Sequence, residues 1–293
     1  MEGSSPMSIK NLYQSGRPVV SFEVFPPKKE ANIESIYEAI GHISALSPDF
    51  ISVTYGAGGS GNVNKTAEIA SFILRKHGVP ALAHLTCVGA GKERIRQTLD
   101  EMYAKGIRDT LALRGDLPED ETPEDGFQYA EELIQEIRGR GDFCIGAACY
   151  PEGHIDCFDL NRDISHLRQK QEAGADFLIT QLFFDNDFFF RFLERARKGG
   201  VTLPISAGVM PILGRSQIER MIFLCGASLP SSIIKLLHKY EKNPRDLRKA
   251  GIEHAAKQLE GLLKQGAQGV HIYTMNKPDI AEYCMKHIGR IQQ

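Results

Sequence analysis

No stretch of the chain approaches the roughly 18–20 consecutive apolar residues that cross a bilayer, so no membrane span is expected. An excess of one charge is missing too. Against 37 Asp+Glu stand 35 Lys+Arg, a formal net charge of −2. Binding to nucleic acid or to an anionic membrane therefore has no electrostatic support. The opening Met1–Lys10 lacks the charged-then-apolar pattern of a signal peptide, and Met7 offers a second start. Residues 1–16 thus read as an N-terminal extension. The six cysteines (Cys87, Cys144, Cys149, Cys157, Cys225, Cys284) show neither C-x-x-C spacing nor a disulfide framework. Such usage suits a reducing, cytoplasmic setting. G-x-S-x-G and the P-loop pattern are also absent.

What remains is an ordinary globular composition, 42% hydrophobic and 25% charged over 293 residues. That length allows one large domain or two small ones. Strand-like runs begin at Val19, Phe50, Ala81, Asp109, Phe143, Phe177, Pro204 and Gly269. Most lie about 30 residues apart, the length of one βα unit. Amphipathic stretches such as Ile33–Leu46, Lys65–Lys76, Glu93–Lys105 and Ile164–Ala173 fill the gaps. The last gap is longer and holds a helical pair, Ser231–Tyr240 and Arg245–Leu263, the second opened by Asn243 as cap and Pro244. The pattern predicts an α/β fold: a single (βα)8 TIM barrel over residues 17–293, with a helical insertion at about 229–266 before the last strand. The rival is an open doubly wound sheet.

One motif favours the rival. Gly56-Ala57-Gly58-Gly59-Ser60-Gly61 fits G-x-G-x-x-G after a strand and before a helix. A dinucleotide fold would end the next strand with an acidic residue, yet Pro80–Thr86 contains none. A glycine-rich loop that lets a ligand approach backbone is the better reading.

In a barrel, chemistry sits where strands end. Alternation puts Val20, Phe22 and Val24 on one face of the first strand and Glu23 on the other, pointing into the barrel mouth. A carboxyl in an apolar wall is either a general acid or one half of an ion pair, for which Arg114 is the expected partner. Other strand ends carry Thr54-Tyr55-Gly56, His84, Arg114-Gly115-Asp116, Tyr150-Pro151-Glu152-Gly153-His154, Gln181, and Tyr273 with Lys277. Arg114 and Asp116 could form a simple loop salt bridge. No predicted strand contains lysine, which argues against a Schiff-base aldolase. A zinc site from Cys144, Cys149, His154 and Cys157 is disfavoured, because the first two fall on opposite strand faces. A divalent metal held by some of Glu23, His84, Asp116 and His154 remains the alternative, as a lyase or hydrolase. The aromatic run from Phe183 to Phe190 reads as packing.

Together these segments resemble the methylenetetrahydrofolate reductases. The resemblance rests on SFEVFPPK (Ser21–Lys28), SVTYGAGGS (Ser52–Ser60), AHLTCVG (Ala83–Gly89), LALRGDLP (Leu111–Pro118), AACYPEGH (Ala147–His154), AGADFLITQLFFD (Ala173–Asp185) and HIYTMNK (His271–Lys277). It implies a bacterial-type catalytic barrel without the regulatory domain of longer forms. It also implies FAD as cofactor and reduction of 5,10-methylenetetrahydrofolate to 5-methyltetrahydrofolate. Glu23 would be the general acid. Thr54, Tyr55, Ala57, His84, Arg114, Gly115 and Asp116 would border the flavin. Tyr129, Ala130, Ala148, Tyr150 and His154 would line it further along, with Asp163 and Lys170 on the following helix. Gln181 would hold the pterin, Asp116 would face both ligands, and Tyr273 and Lys277 would complete the folate contacts.

Chemistry explains these residue types. The methylene bridge joins two folate nitrogens and accepts hydride poorly until protonation at N10 opens it to an iminium at N5. A protonated carboxyl supplies that proton, and Asp116 could stabilise the cation. Three departures from the family pattern stand out: His154-Ile155-Asp156 replaces H-P-E, Lys277 replaces an arginine, and Pro211–Arg215 lacks an aromatic residue. These bear on the electron donor, which is expected to be NADH or NADPH, or else a redox partner protein. A homo-oligomer is also expected. A non-enzymatic alternative is a folate- or flavin-binding subunit of a larger redox complex.

Overall fold

The computed structural model describes residues 7–27, 33–55, 63–116 and 125–289. Eight strands run through it: β1 (Val19–Val24), β2 (Phe50–Val53), β3 (Ala81–Thr86), β4 (Asp109–Leu113), β5 (Cys144–Cys149), β6 (Phe177–Thr180), β7 (Ile205–Val209) and β8 (Gly269–Tyr273). All pair in parallel and in chain order, and β8 returns to β1 to close the barrel. Closure excludes the open doubly wound sheet. None of the eight strands contains lysine. Two strands start one residue later than the apolar runs suggest, at Cys144 and Ile205 rather than Phe143 and Pro204. Pro204 has no N–H to give to a ladder, although its carbonyl accepts from Leu178 N–H at 2.9 Å.

Helices α2 (Ile33–Ala45), α3 (Val63–Phe72), α4 (Lys92–Ala104), α5 (Ala130–Arg138), α6 (Leu160–Glu172), α7 (Asn186–Lys198), α8 (Arg215–Cys225) and α11 (Pro278–Gly289) follow the strands in turn. The alternation of each strand separates two cores. Val20, Phe22 and Val24 face outward into the helix layer with Ile36, Ile40 and Ile43 of α2. Val19, Phe50, Leu82, Leu111, Cys144 and Phe177 fill the barrel interior. Cys149 belongs to the outer core and Cys144 to the inner one, so these two thiols cannot share a metal. The aromatic run packs as expected. Phe183, Phe184 and Phe189 are buried, with Phe183 and Phe189 stacked at 5.8 Å.

The short helix α1 (Ile9–Leu12) closes the barrel floor, burying Ile9 completely against the inner core. Asp109 at the start of β4 accepts Ile9 N–H at 2.9 Å and the Ser8 hydroxyl at 3.3 Å. Burial nevertheless raises the Asp109 pKa to about 6, outweighing those bonds. A raised carboxyl pKa means the folded state holds a proton that the unfolded chain has already released between roughly pH 4 and 6. Stability from this group is therefore fully present below pH 4 and lost as pH rises through 6. The loss is on the order of 3 kcal/mol. In Asp109→Asn this component should vanish. Denaturation midpoints of mutant and wild type should diverge in the mutant's favour as pH rises from about 4 to 7. A constant difference would show that Asp109 does not titrate in this window.

Before β8 the chain inserts α9 (Ser231–Lys239) and α10 (Pro244–Lys264). Asn243 caps α10 by accepting Asp246 N–H at 3.3 Å, and Pro244 occupies its first turn. Ile233 and Leu247 from this pair join Leu182, Phe184, Met210 and Ile212 in a satellite core beside the barrel mouth. No described helix is long and apolar enough to cross a membrane.

Candidate active site

The strand ends converge on two adjoining groups of side chains. The first lines a cleft of about 740 Å³ between the ends of β4 and β5 and the helices α5 and α6. It contains Arg114, Tyr150 and His154, which the strand ends pointed to, and Tyr129, Ala130, Ala148, Asp163 and Lys170, which the family resemblance implied. Ala130 opens α5, whose N-terminus is braced by Glu132 accepting Tyr129 N–H at 3.1 Å. Lys170 reaches back from α6 to donate to the Ala148 carbonyl at 2.9 Å. Burial depresses the Lys170 pKa, opposed by Cys149 and Asp163. Burial likewise raises that of Asp163, opposed by Lys170 and His154. Tyr150 and His154 meet edge to face at 4.6 Å.

Arg114 does not pair with Glu23 or with Asp116. Its guanidinium donates to Asp156 Oδ2 at 2.7 Å, and this bond holds the exposed Asp156 carboxyl below its usual pKa range. The physical reason is adjacency: Asp156 lies in the loop after β5, the strand next to β4. Asp156 N–H also donates to His154 Nδ1 at 3.0 Å, so the His-Ile-Asp sequence forms one compact turn beside Arg114.

The second group surrounds the barrel mouth. Glu23 Oε2 lies 3.4 Å from His271 Nε2 and 3.7 Å from His84 Nε2, with the carboxyl 17% exposed. Its neighbours are thus two imidazoles, and the ion pair with Arg114 that stood as the alternative to an acid role is not formed. Burial lowers the His84 pKa to about 4 despite the pull of Glu23, so His84 is neutral at physiological pH. Its buried Nε2 lacks a hydrogen-bond partner among the described residues. The backbone at Glu23 is held by Thr274, whose hydroxyl donates to the Glu23 carbonyl at 2.6 Å. Asn276 adds a two-way bridge to the backbone of Phe25, both bonds at 2.9 Å. Neither residue was singled out by sequence. Their signal was position alone, in the loop that follows the strand closing onto β1.

Gly115 sits at φ +88° beside Arg114, and a Cβ there would come within 2.9 Å of Thr86. Glycine is required twice over, by backbone sign and by space. Asp116 is exposed, and its charge reaches the Cys225 thiol. Thr54 and Tyr55 follow β2, with Thr66 donating to the Thr54 carbonyl at 3.0 Å. Ala57 and the surrounding glycine-rich loop lie outside the described residues. Gln181 Oε1 accepts Leu182 N–H at 2.8 Å, which fixes the side chain and leaves its NH2 end as donor. Tyr273 donates across the barrel to the Thr180 carbonyl at 2.9 Å. Lys277 is exposed beyond it.

Glu23, His84, Asp116 and His154 are not gathered as a metal site. His154 belongs to the cleft and Asp116 to an exposed loop, and among the described residues no group of three or more His, Cys, Asp or Glu is arranged to hold an ion. The cleft instead offers cations (Arg114, Arg162, Lys170) for phosphate oxygens, carboxylates (Glu131, Asp156, Asp159, Asp163) that can accept from sugar hydroxyls, and aromatic faces, a mixed set suited to a nucleotide-bearing organic cofactor. The orphaned His84 Nε2 adds a polar contact at the mouth.

Residues 8–289 match the family model described as methylenetetrahydrofolate reductase. A Zea mays protein named methylenetetrahydrofolate reductase (NADH) 1 is 36% identical over 95% of this chain and 49% of its own length. A 5,10-methylenetetrahydrofolate reductase of Pectobacterium carotovorum is 33% identical, over 93% of this chain and 90% of its own. The chain therefore spans about half the length of the plant relatives and nearly all of the bacterial one. Among solved structures, an uncharacterised Clostridium thermocellum protein that binds two copies of 5-methyl-5,6,7,8-tetrahydrofolic acid aligns with TM-score 0.66. The alignment covers 94% of this chain and 95% of that one at 16% identity, a likeness of fold.

Proposed function

The chain belongs to the methylenetetrahydrofolate reductase family, and from that premise we propose that it reduces 5,10-methylenetetrahydrofolate to 5-methyltetrahydrofolate with FAD as cofactor. The observation that carries this reading is the gathering of Arg114, Tyr129, Ala130, Ala148, Tyr150, His154, Asp163 and Lys170 around one cleft beside Glu23's end of the barrel. FAD, when bound, would supply the redox chemistry. Arg114 and Lys170 would hold its pyrophosphate, Tyr150 and His154 would border it, and His84 would meet it at the mouth. Glu23 gives its proton to folate N10, which breaks the bridge bond there and leaves the cationic iminium at N5. Asp116 stabilises that cation, and Gln181 orients the pterin through its NH2 group. NADH or NADPH is the reductant.

Purified protein should be yellow, release FAD on denaturation and be bleached anaerobically by NADH or NADPH. A protein that neither carries nor takes up FAD would remove the proposal, and slow bleaching by both nucleotides would point to a protein donor.

Gln181→Ala should weaken folate binding while FAD stays bound. A lost amide contact in a partly buried site costs roughly 1–3 kcal/mol, or about 5- to 150-fold in Kd. Titrating folate against mutant and wild type reads this directly. Equal affinities would confine Gln181 to its bond with Leu182.

A further inference from the structure

The reductase reading leaves one buried residue beside Glu23 without a role. His271 lies on β8, is 1% exposed, and is fixed on every side. Its Nδ1 is 2.7 Å from Ser21 Oγ, while its Nε2 is 3.3 Å from Ser52 Oγ and 3.4 Å from Glu23 Oε2. Phe50 stacks on the ring at 6.0 Å. Ser21 Oγ also lies 3.3 Å from the Val270 carbonyl. The one Ser21 hydroxyl proton goes either to the Val270 carbonyl, leaving its oxygen to accept Nδ1–H, or to Nδ1 over the shorter contact, leaving the ring proton on Nε2. In the first tautomer Nε2 accepts from a Glu23 carboxyl, and in the second Nε2–H donates to a Glu23 carboxylate. Either way one proton lies between the two groups, because two bare acceptors facing each other in a buried place would be costly. Ser52 can serve either arrangement, because its hydroxyl rotates.

The other titratable groups here are His84, neutral and 3.7 Å from Glu23 Oε2, and Tyr273, whose hydroxyl is committed to Thr180. Neither brings a competing charge at neutral pH. We propose that His271 is a positioning residue that shares one proton with Glu23, so that the acid is loaded and aimed before folate arrives. What the proton is used for rests on the reductase reading; the sharing does not. When the proton leaves for N10, Glu23 remains as carboxylate against Nε2 until another is taken from solvent at the mouth.

The test is a long-range ¹H–¹⁵N spectrum of the ¹⁵N-histidine-labelled holoprotein across the neutral pH range, with His271 identified by its loss in His271→Gln. The Nε2 signal and its pH response should change in Glu23→Gln, where no carboxyl proton can be shared. Kinetically, His271→Asn should slow folate-driven oxidation of reduced flavin by roughly 10- to 100-fold, a part of the general-acid contribution, and displace its pH profile. Flavin reduction by the donor should be untouched. An Nε2 signal and pH response identical in wild type and Glu23→Gln would overturn the proposal, and that comparison holds even if His271→Asn fails to fold. Wild-type reduced flavin that ignores methylenetetrahydrofolate would instead overturn the reductase reading, with the spectrum still deciding the shared proton.

Discussion

Glu23→Gln is expected to slow the oxidation of reduced flavin by methylenetetrahydrofolate by roughly 10²- to 10⁴-fold, the range for loss of a general acid. FAD binding and flavin reduction by the donor should persist, because neither step uses that proton. The substitution suits the question because the amide keeps the volume of the carboxyl and can still bond His271 Nε2, 3.4 Å from Glu23 Oε2. It removes only the transferable proton. A Glu23 that served chiefly to hold the barrel mouth together would give a different pattern, with lowered stability or flavin affinity and damage to both half-reactions. Equal rates of folate-driven oxidation in mutant and wild type would falsify the acid assignment.

Gly251→Ala should destabilise the fold, against the sign that helix propensity alone gives. Gly251 lies inside α10, where alanine would ordinarily gain about 1 kcal/mol. A Cβ at this position, however, would press into the carbonyl oxygen of Ile212, with the Ile212 Cβ also only 2.8 Å away. The obstacle is mostly backbone, which has no rotamer to change. Overpacking of this kind costs roughly 1–3 kcal/mol or more, so sterics outweigh propensity. The loop carrying Ile212 leaves β7 at the barrel mouth, so the strain should also appear as weaker ligand binding there. Thermal unfolding with and without FAD checks both effects. A mutant at least as stable as wild type would mean that α10 moves outward freely.

Much of the architecture was legible because it follows from local patterns. Alternation along Val20–Val24 assigned Glu23 to the interior, and six strands begin at the residue where their apolar run begins. Asn243-Pro244 marked the start of α10 by cap chemistry alone. What sequence could not supply was which side chains meet across the closed barrel. Composition alone allows Arg114 to pair with Glu23, whereas in the fold Asp156 holds it from the neighbouring strand's loop. His271 pairs with Glu23 only because β8 closes onto β1, with Ser21 opposite His271 and Glu23 opposite Tyr273. That contact spans 248 positions, and no local pattern encodes it. The same holds for Asn276, whose bridge to Phe25 exists only once the first and last strands adjoin.

In the proposed reaction this barrel passes a hydride from reduced flavin to methylenetetrahydrofolate. The direct measurement is an anaerobic single-turnover experiment: holoenzyme reduced photochemically, with no nucleotide present, is mixed with 5,10-methylenetetrahydrofolate while flavin absorbance is followed. The oxidised spectrum should return in full, with one 5-methyltetrahydrofolate formed per flavin. Flavin that stays reduced, or that reoxidises without forming 5-methyltetrahydrofolate, would contradict it.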